Sequence, residues 1–466
     1  MYLALSLVLA LGVPAQLLPA DDPIAEADAL SHVLESLQAF GDHEQPRSTH
    51  PGSIFVSLVS FRDDQMEPTV NDMLDKAADP SRIVFGIMCQ DKLEVLQKPF
   101  SFESRSDFNG KVLRLPYKET RGTCWARHAV QRALYNNETY YMQLDSHHRF
   151  TQNWDEKCID NLNMAYKKSA KPILTQYLNG FSPATEGQLN TEGDRVTRLS
   201  AIKYYETGKA RIQPEHSPGL HVEPQLQIAL ISGHFIFCDG SWVYEVPYDP
   251  YLIFEGEEDT LGLRSYTHGW DMYHTAKPLA WHYYERPQGY RFPATRFNTD
   301  NSEARLRRIT EGPGPASDYV RYPEGYDFGQ YGLGADRGWE DYFRQSGIFW
   351  NKRYLHEKTR KGDPNIVISD EEYEEIMNMT PWAVTRDCGG QSMQDCFNRG
   401  CRWVEGFPGP YCQDMDQPLK DCGFPGVQKH SCESLGGTWV PDSPGPDCQY
   451  GVPKFPGDQA DRAGEL

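Results

Sequence analysis

Cysteine is scarce over most of this 466-residue sequence, and basic residues are outnumbered by acidic ones. Only Cys89, Cys124, Cys158 and Cys238 precede residue 388, and the C-x₂-C spacing typical of zinc sites is absent. Lys and Arg number 46 against 66 Asp and Glu, which gives a net charge of −20. This charge argues against nucleic-acid binding by phosphate neutralisation. It also means that an anionic donor would need a metal ion to hold it.

Long apolar runs are missing after the first twenty residues. Residues 1–20 carry no charged side chain, and Val13-Pro14-Ala15 or Leu18-Pro19-Ala20 offers small residues for a signal peptidase. We expect a signal peptide; an uncleaved membrane anchor is the alternative, and the missing Lys or Arg weakens both. Both interpretations predict a protein of the secretory pathway, in the ER or Golgi lumen, membrane-anchored or secreted.

The other seven cysteines lie between Cys388 and Cys448, a density that predicts disulfides in an oxidising compartment. An internal repeat aligns Asp387-Cys388-Gly389 with Asp421-Cys422-Gly423, Trp403-Val404 with Trp439-Val440, and Cys412-Gln413 with Cys448-Gln449. Two disulfide-stapled modules fit, because units this small cannot bury enough core alone. Their pairing is not deducible, and a protein- or glycan-binding role and a structural appendage both stay open.

Composition divides the rest of the chain. Residues 21–50 are polar and predict a stem or linker, and residues 51–290 form the predicted core. Residues 291–385, with many Gly, Pro and Tyr, predict an extension with short helices, followed by the repeats (386–450) and a tail (451–466). N-glycosylation sequons at Asn137 and Asn378 agree with a secreted glycoprotein.

Strand and helix signals alternate through the core. Branched and aromatic residues predict strands at Ile54–Phe61, Arg82–Cys89, Lys111–Leu115, Tyr140–Leu144, Ile173–Leu178 and Ile228–Cys238. Apolar residues at helical spacing predict helices at Pro68–Ala77, Cys124–Leu134, Trp154–Lys167, Asn301–Thr310 and Glu371–Met379. This order predicts an α/β fold with a mixed, mainly parallel sheet. We expect the polar stretch Asn179–Glu223 to cover the site.

One strand ends in a polar turn, Asp145-Ser146-His147-His148. Asp145 and His147 are two positions apart and can point to the same side. A carboxylate with an imidazole suits a divalent ion of the manganese type better than a thiol-rich set would. The strand end is also where open α/β sheets bind ligands. A buried strand that ends in a polar loop is the simpler interpretation of this segment alone.

In order and number, several segments resemble the GlcNAc-transferase family of polypeptide-modifying enzymes, which act on hydroxyproline or mucin-type acceptors. The resemblance covers roughly residues 52–290. The matching segments are Phe55–Asp63, Arg82–Ile87, Gly122–Arg127, Tyr141–Phe150, Asn153–Asp155, Ser232–Phe235, Glu245–Pro250, Gly256–Glu258, Thr267–Asp271 and His282. One departure is His234 before Phe235, where relatives often carry a small or aromatic residue.

The resemblance implies a GT-A type fold, a UDP-GlcNAc donor and a divalent metal such as Mn²⁺. It also implies transfer to a hydroxyl of a polypeptide with retention of configuration. Asp145 and His147 are then the metal ligands, with His282 as the third; a core histidine between aromatic residues is the competing interpretation of His282. His148 is interpreted as a bystander of the metal site.

Four further residues are candidates for binding the nucleotide beside Asp145. Arg62 and Asp63 follow the first strand, where a GT-A fold meets the nucleotide. Arg121 opens a helix whose N-terminus favours anions. Arg149 is either a phosphate contact or a structural ion-pair partner.

Glu257 and Glu258 are the candidate catalytic carboxylates, as a general base, an oxocarbenium stabiliser or a sugar-hydroxyl ligand. A negatively charged helix N-terminus is the simpler interpretation. Two other function classes stay open: an inactive GT-A-like protein that binds carbohydrate or protein, and a glycosidase. The intact turn at Asp145 opposes the first, and a glycosidase needs no metal–diphosphate site.

Overall fold

The computed structural model describes residues 52–184, 195–204, 209–216, 223–285, 300–311 and 328–379, and the backbone of four short strands between 402 and 449. The predicted signal peptide, the stem and the tail disulfides lie outside the described residues. The chain divides into two compact units, Met1–Trp382 and Ala383–Leu466. Among the helices described, none has the length and apolarity needed to cross a bilayer.

The first unit is built on an eight-stranded sheet. Its strands and those of the smaller sheets are β1 (Ile54–Phe61), β2 (Ile83–Asp91), β3 (Gly110–Pro116), β4 (Tyr140–Asp145), β5 (His148–Phe150), β6 (Pro172–Thr175), β7 (Asn179–Gly180), β8 (Thr197–Tyr204), β9 (Ala210–His216), β10 (Gln225–Leu226), β11 (Phe235–Asp239), β12 (Asp271–His274), β13 (Ala280–His282), β14 (Ile348–Phe349) and β15 (Tyr354–Leu355). The large sheet has the order β10-β12-β6-β11-β4-β1-β2-β3. Strands β3, β2, β1 and β4 are parallel, whereas β11 runs antiparallel to β4 and β6. The predicted mixed α/β sheet is confirmed.

The described residues of the first unit also form seven helices of eight residues or more. They are α1 (Met66–Lys76), α2 (Thr123–Leu134), α3 (Trp154–Tyr166), α4 (Glu257–Thr267), α5 (Asp300–Glu311), α6 (Trp339–Ser346) and α7 (Asp370–Asn378), with four-residue helices at Leu93–Leu96, Trp242–Glu245 and Glu357–Arg360. Helix α1 shows why they form: Met66, Val70, Met73 and Leu74 recur at helical spacing and are buried. Each such side chain contributes about 1.5–3 kcal/mol by burial.

Strand β1 lies in the middle of the parallel part, between β2 and β4. Its first seven residues are all buried, and five of them are apolar, as expected of a strand that is covered on both faces. The parallel register aligns Val59 with Asp145. The carboxyl ends of β1 and β4 therefore meet at one edge, where the polar residues after both strands lie side by side.

The strand predicted over Ile228–Cys238 is wrong in its first half. Only Phe235–Asp239 joins the sheet, as β11. Ile228 and Ile231 are buried all the same, in a segment against helix α4. Gly262 of α4 permits that approach, because an added Cβ would meet the Ala229 carbonyl oxygen at 2.9 Å. An apolar run can fill tertiary packing without pairing in a sheet.

The polar stretch Asn179–Glu223, predicted as a cover, contains an antiparallel hairpin of β8 and β9. Its pairing runs from Thr197 with His216 to Tyr204 with Ala210, and a bulge shifts the register between Ala201 and Tyr204. Charged residues in the hairpin interrupt the alternation of apolar and polar residues that predicts strands, so these two strands were not predicted.

The cysteine-rich unit contains two hairpins in equivalent positions of the internal repeat. Strand β16 (Arg402–Val404) pairs with β17 (Tyr411–Gln413), and β18 (Thr438–Trp439) pairs with β19 (Cys448–Gln449). Trp403 is the strand partner of Cys412 in the first hairpin, and Trp439 is the strand partner of Cys448 in the second. Both partners shift by the same 36 residues (439 − 403 and 448 − 412), which supports the repeat.

Four cysteines of the first unit, Cys89, Cys124, Cys158 and Cys238, are free and buried. None of them is more than 2% exposed. Burial raises the pKa of the Cys89 thiol to about 12, since the thiolate is poorly solvated there. These thiols are inert packing groups in the folded state.

Candidate metal centre and adjoining cleft

Three predicted metal ligands converge at the carboxyl end of β4. Asp145 is the last residue of that strand, and His147 lies in the turn before β5. Strand β13 pairs antiparallel with β5 and thereby brings His282 opposite His148. One ligand atom from each of Asp145, His147 and His282 lies within 4.8 Å of the others.

The distances between these donor atoms fit one ion. The Nε2 atoms of His147 and His282 are 2.9 Å apart. Asp145 Oδ2 lies 3.4 Å from His282 Nε2 and 3.6 Å from His147 Nε2. Two ligands at right angles, each roughly 2.1 Å from an ion, are about 3 Å apart. A face of two imidazoles and one carboxylate therefore suits a divalent ion of the manganese type.

Asp63 sets the orientation of His147. Its Oδ2 lies 2.7 Å from Nδ1 of His147 and accepts a hydrogen bond of 2.6 Å from the Ser146 hydroxyl. A carboxylate at Nδ1 keeps the proton there and leaves the Nε2 lone pair for a metal. Asp63, predicted as a cofactor contact, has a fully buried side chain behind His147. The parallel pairing of β1 with β4 in the folded sheet places the two residues side by side.

Arg127 of α2 joins both acidic groups of the site. Its Nη2 donates to Asp145 Oδ1 at 2.6 Å, and its Nη1 donates to Glu257 at 3.0 Å and to the Tyr248 hydroxyl at 2.8 Å. Arg127 is not among the site residues predicted from the sequence, yet it is 1% exposed and touches both acids. The missed signal is its spacing from Cys124 on the buried face of α2.

Electrostatics keep Asp145 ionised. Burial opposes its charge, but the hydrogen bond with His282 and the charge of Arg127 outweigh burial and hold the pKa of Asp145 well below its usual value. Asp145 can therefore offer one oxygen to Arg127 and the other to a cation. Asp145 therefore remains a charged ligand for a metal ion even while it is paired with Arg127.

The candidate catalytic carboxylates lie in the first turn of α4, which starts after Gly256 in the left-handed conformation (φ 85°). Glu257 faces Arg127 and accepts from the Cys124 thiol at 3.4 Å. Glu258 accepts from the Gly233 N–H at 2.8 Å and from the Tyr177 hydroxyl at 2.7 Å. These acids also complement the positive end of the helix dipole, as the simpler interpretation held.

Glu258 has only neutral hydrogen-bond partners among its contacts, unlike Asp145. Burial raises the pKa of Glu258 to about 7, although its bonds with Gly233 and Tyr177 act in the opposite direction. Burial likewise raises the pKa of Asp259 to about 7. A carboxyl group that titrates near neutral pH can exchange a proton with a bound hydroxyl.

A cleft of about 340 Å³ lies between these groups. That volume falls in the range of small-molecule sites. One wall carries Asp145, Arg127 and His234, and the N-terminus of α4 forms a second wall. The opposite wall is strand β9 and its approach, with lining residues Lys209, Ala210, Arg211 and Ile212.

His234, the departure from the family pattern, lies beside the metal ligands. Its ring centre is 4.3 Å from that of His282 and 4.9 Å from that of Tyr177. Its Nε2 accepts the Leu178 N–H at 3.1 Å. Burial holds the pKa of His234 well below its usual value, so the ring is neutral. It packs against His282 and lines the cleft.

The other predicted nucleotide contacts lie outside the set of cleft-lining residues. Arg62 is in the left-handed conformation (φ 49°), with its guanidinium 4.9 Å from the Tyr117 ring centre. Arg121 lies 5.9 Å from the Trp125 ring centre. Arg149 is buried and donates to the His148 carbonyl and to Gln65, which favours its structural interpretation. Their contacts with a nucleotide stay predictions.

This geometry defines an α/β protein with a candidate divalent-metal site at a strand end. The sequence profile of the family described as Glycosyltransferase (GlcNAc) matches residues 53–103 and 97–351, more than half of the chain. The chain belongs to this glycosyltransferase family. The match continues beyond residue 290, into the segment predicted as an extension.

Similarity to solved structures is looser. GalNAc-T7, crystallised with UDP, GalNAc and Mn²⁺, is 14% identical with a TM-score of 0.42, over 56% of this chain and 48% of that one. S. aureus TarS (residues 1–349), alone and in complex with UDP-GlcNAc, is 10% identical with a TM-score of 0.32. These matches cover 50% and 51% of this chain and 60% of TarS. Among curated proteins, no sequence matches.

Proposed function

We propose that this chain is a metal-dependent glycosyltransferase that moves GlcNAc from UDP-GlcNAc to a hydroxyl of Ser, Thr or hydroxyproline in a polypeptide, with retention. The observation that carries the proposal is the set of donor atoms of Asp145, His147 and His282, within 4.8 Å of one another at the edge of the cleft. Membership of the glycosyltransferase family supports the reaction class.

Asp145, His147 and His282 would hold the ion, for which we propose Mn²⁺. A bound ion of this kind supplies Lewis-acid neutralisation of a departing diphosphate. The cleft wall with Glu257 and Glu258 is acidic and would repel an anionic donor. A bound cation would offset that repulsion. Arg127 offsets part of that charge through its bonds to Glu257 and Asp145.

Glu258 and Glu257 take different parts in this proposal. Glu258 accepts from the Gly233 N–H and the Tyr177 hydroxyl and titrates near pH 7, so it suits a sugar or acceptor hydroxyl. Glu257 is tied to Arg127 and positions it. Arg62, Asp63, Arg121 and Arg149 keep their assignment to nucleotide binding as a proposal, with Asp63 acting through His147.

Turnover of UDP-GlcNAc by the purified chain tests the proposal. We expect UDP release with Mn²⁺, its loss with EDTA, and its recovery when Mn²⁺ is restored. UDP-GalNAc and UDP-glucose in parallel reactions decide the donor sugar. If neither UDP release nor UDP binding occurs with Mn²⁺, the chain is an inactive relative and the enzyme assignment is wrong.

We also propose a luminal location in the ER or Golgi, with anchorage through the N-terminus as an option and the cysteine-rich unit as a protein- or glycan-binding element. Asn137 offers a direct test, because its side chain is exposed in a left-handed turn (φ 59°) between α2 and β4. Peptide-N-glycosidase should lower the mass of the expressed chain, and Asn137→Gln should make that shift smaller by one glycan. An unglycosylated Asn137 would oppose a luminal location.

A further inference from the structure

Strand β9 is an edge strand that lines the cleft. It pairs with β8 on one side only, and along the described ranges no strand pairs with its other side. Lys209, Ala210, Arg211 and Ile212, at its start, line the cleft together with Asp145 and Glu258. An unpaired strand edge is a template for another extended chain.

Three observations show which backbone groups point outward. The Ala210 N–H donates to Asp259 Oδ1 at 3.0 Å and so faces away from β8. The Ser200 hydroxyl of β8 donates to the Gln213 carbonyl at 3.3 Å, so that carbonyl faces inward. Pro214 has no N–H and suits an outward position, as proline does on edge strands. Strand alternation then places the N–H and C=O of Ile212 on the outer side.

Among the described residues, no strand pairs with the outer edge at Ile212, whereas the edge is closed at Ala210. Asp259, in the first turn of α4, accepts a hydrogen bond from the Ala210 N–H, so that group is not available to an added strand. Ile212 is the next outward residue, and it lines the cleft that also contains the candidate metal ligand Asp145. A strand added at Ile212 would therefore pass the reaction site and stop at helix α4.

We propose that the acceptor polypeptide binds in an extended conformation and adds as a third strand to the outer edge of β9, paired with Ile212. This inference rests on the proposed function and names its acceptor class: an unfolded, strand-forming segment with a hydroxyl residue. Backbone pairing supplies affinity without fixing the sequence, as in other strand additions.

Single N-methylation along an acceptor peptide tests the strand geometry. The probe is a short synthetic peptide with one central Thr among Val, Ala and Asp residues, together with the same peptide carrying hydroxyproline in place of Thr. We expect kcat/KM for transfer to fall at least about tenfold at every second position near the acceptor, because only alternate N–H groups pair with β9. Uniform losses, or losses without this two-residue period, would overturn the proposal.

Ile212→Pro provides the test on the protein, with Ile212→Val as the matched control. The proline removes the outward N–H but leaves the inward groups of Arg211 and Gln213 for β8. We expect the Kd of the fluorescent peptide, measured by anisotropy with UDP and Mn²⁺, to rise at least about tenfold in Ile212→Pro and to be retained in Ile212→Val. Equal peptide affinity in both variants counts against strand addition.

Different results would contradict the proposed glycosyltransferase function and the proposed strand addition. A wild-type chain that turns over UDP-GlcNAc with Mn²⁺ but neither binds nor glycosylates the peptides keeps the enzyme assignment and loses strand addition. A chain without UDP-GlcNAc turnover loses the proposed function itself. If Ile212→Pro does not fold, as judged by its melting curve, the N-methylation pattern on the wild-type chain decides.

Discussion

The carboxyl groups on the two acidic walls of the cleft have pKa values that are shifted in opposite directions. On the sheet side, Asp145 is paired with Arg127 and its pKa is held low. On the α4 side, Glu258 contacts the neutral groups of Gly233 and Tyr177, and burial raises its pKa to about 7. A permanently charged oxygen is what a cation needs, whereas a group that exchanges protons is what a reacting hydroxyl needs.

Both walls depend on one buried arginine, so its removal should have the largest effect. Arg127→Met leaves Asp145 and Glu257 without their shared cation. We expect a loss of about 3–5 kcal/mol in the free energy of unfolding, measured with urea. Arg132→Met, five residues later in α2, is the matched control. Equal losses in the two variants would mean that Arg127 does not couple the walls.

The sheet-side wall alone is tested by Asp145→Ala. We expect the affinity for UDP in the presence of Mn²⁺ to fall about 100-fold or more, because one of three donor groups and the only charged one is lost. Isothermal calorimetry with and without Mn²⁺ measures the change. Asp91→Ala, at the end of β2, is the control acid. An unchanged metal-dependent affinity would make the metal assignment wrong.

Asp63→Asn examines the support behind that wall. The amide retains the size of Asp63 but weakens the hold on Nδ1 of His147. We expect Mn²⁺ affinity to fall about 10–100-fold, as for other carboxylates behind a ligating histidine. UDP binding without metal serves as the internal control. If that metal-free binding falls instead, Asp63 contacts the nucleotide directly, as first predicted.

The α4 wall is tested by the pH dependence of stability in Glu258→Gln. The pKa of Glu258 is raised from 4.5 to about 7 in the folded chain, so ionisation costs stability as pH rises through that window. The variant should match the wild type at pH 4 and exceed it by about 2–3 kcal/mol at pH 8. Glu156→Gln, an exposed acid in the first turn of α3, is the control. A pH-independent difference would contradict the burial argument.

Sequence reasoning predicted the site best where neighbours along the chain decide it. The Asp145-x-His147 spacing and the order of strands followed from period-two alternation, and β1 was predicted with its observed bounds. Contacts between distant elements were less accessible. Arg127 reaches Glu257 across 130 positions and Asp63 reaches His147 across 84, and only the folded sheet brings those groups together.

The hairpin of β8 and β9 shows a second limit. Its strands alternate weakly, with Arg198, Lys203 and Arg211 among the apolar residues, because one side of the hairpin faces the cleft. Sequence patterns report burial, and a strand that lines a site is only partly buried. The element that carries the further inference is therefore the one that hydrophobic patterning describes least.

The four buried thiols are protected from oxidation only after the chain has folded around them. A finished molecule hides Cys89, Cys124, Cys158 and Cys238 from oxidants, whereas a nascent chain presents them beside the seven later cysteines of the sequence. Each thiol is safe from mispairing once its strand or helix is packed. In the oxidising compartment that we propose, the order in which these elements close would decide which thiols remain available to the cysteine-rich unit.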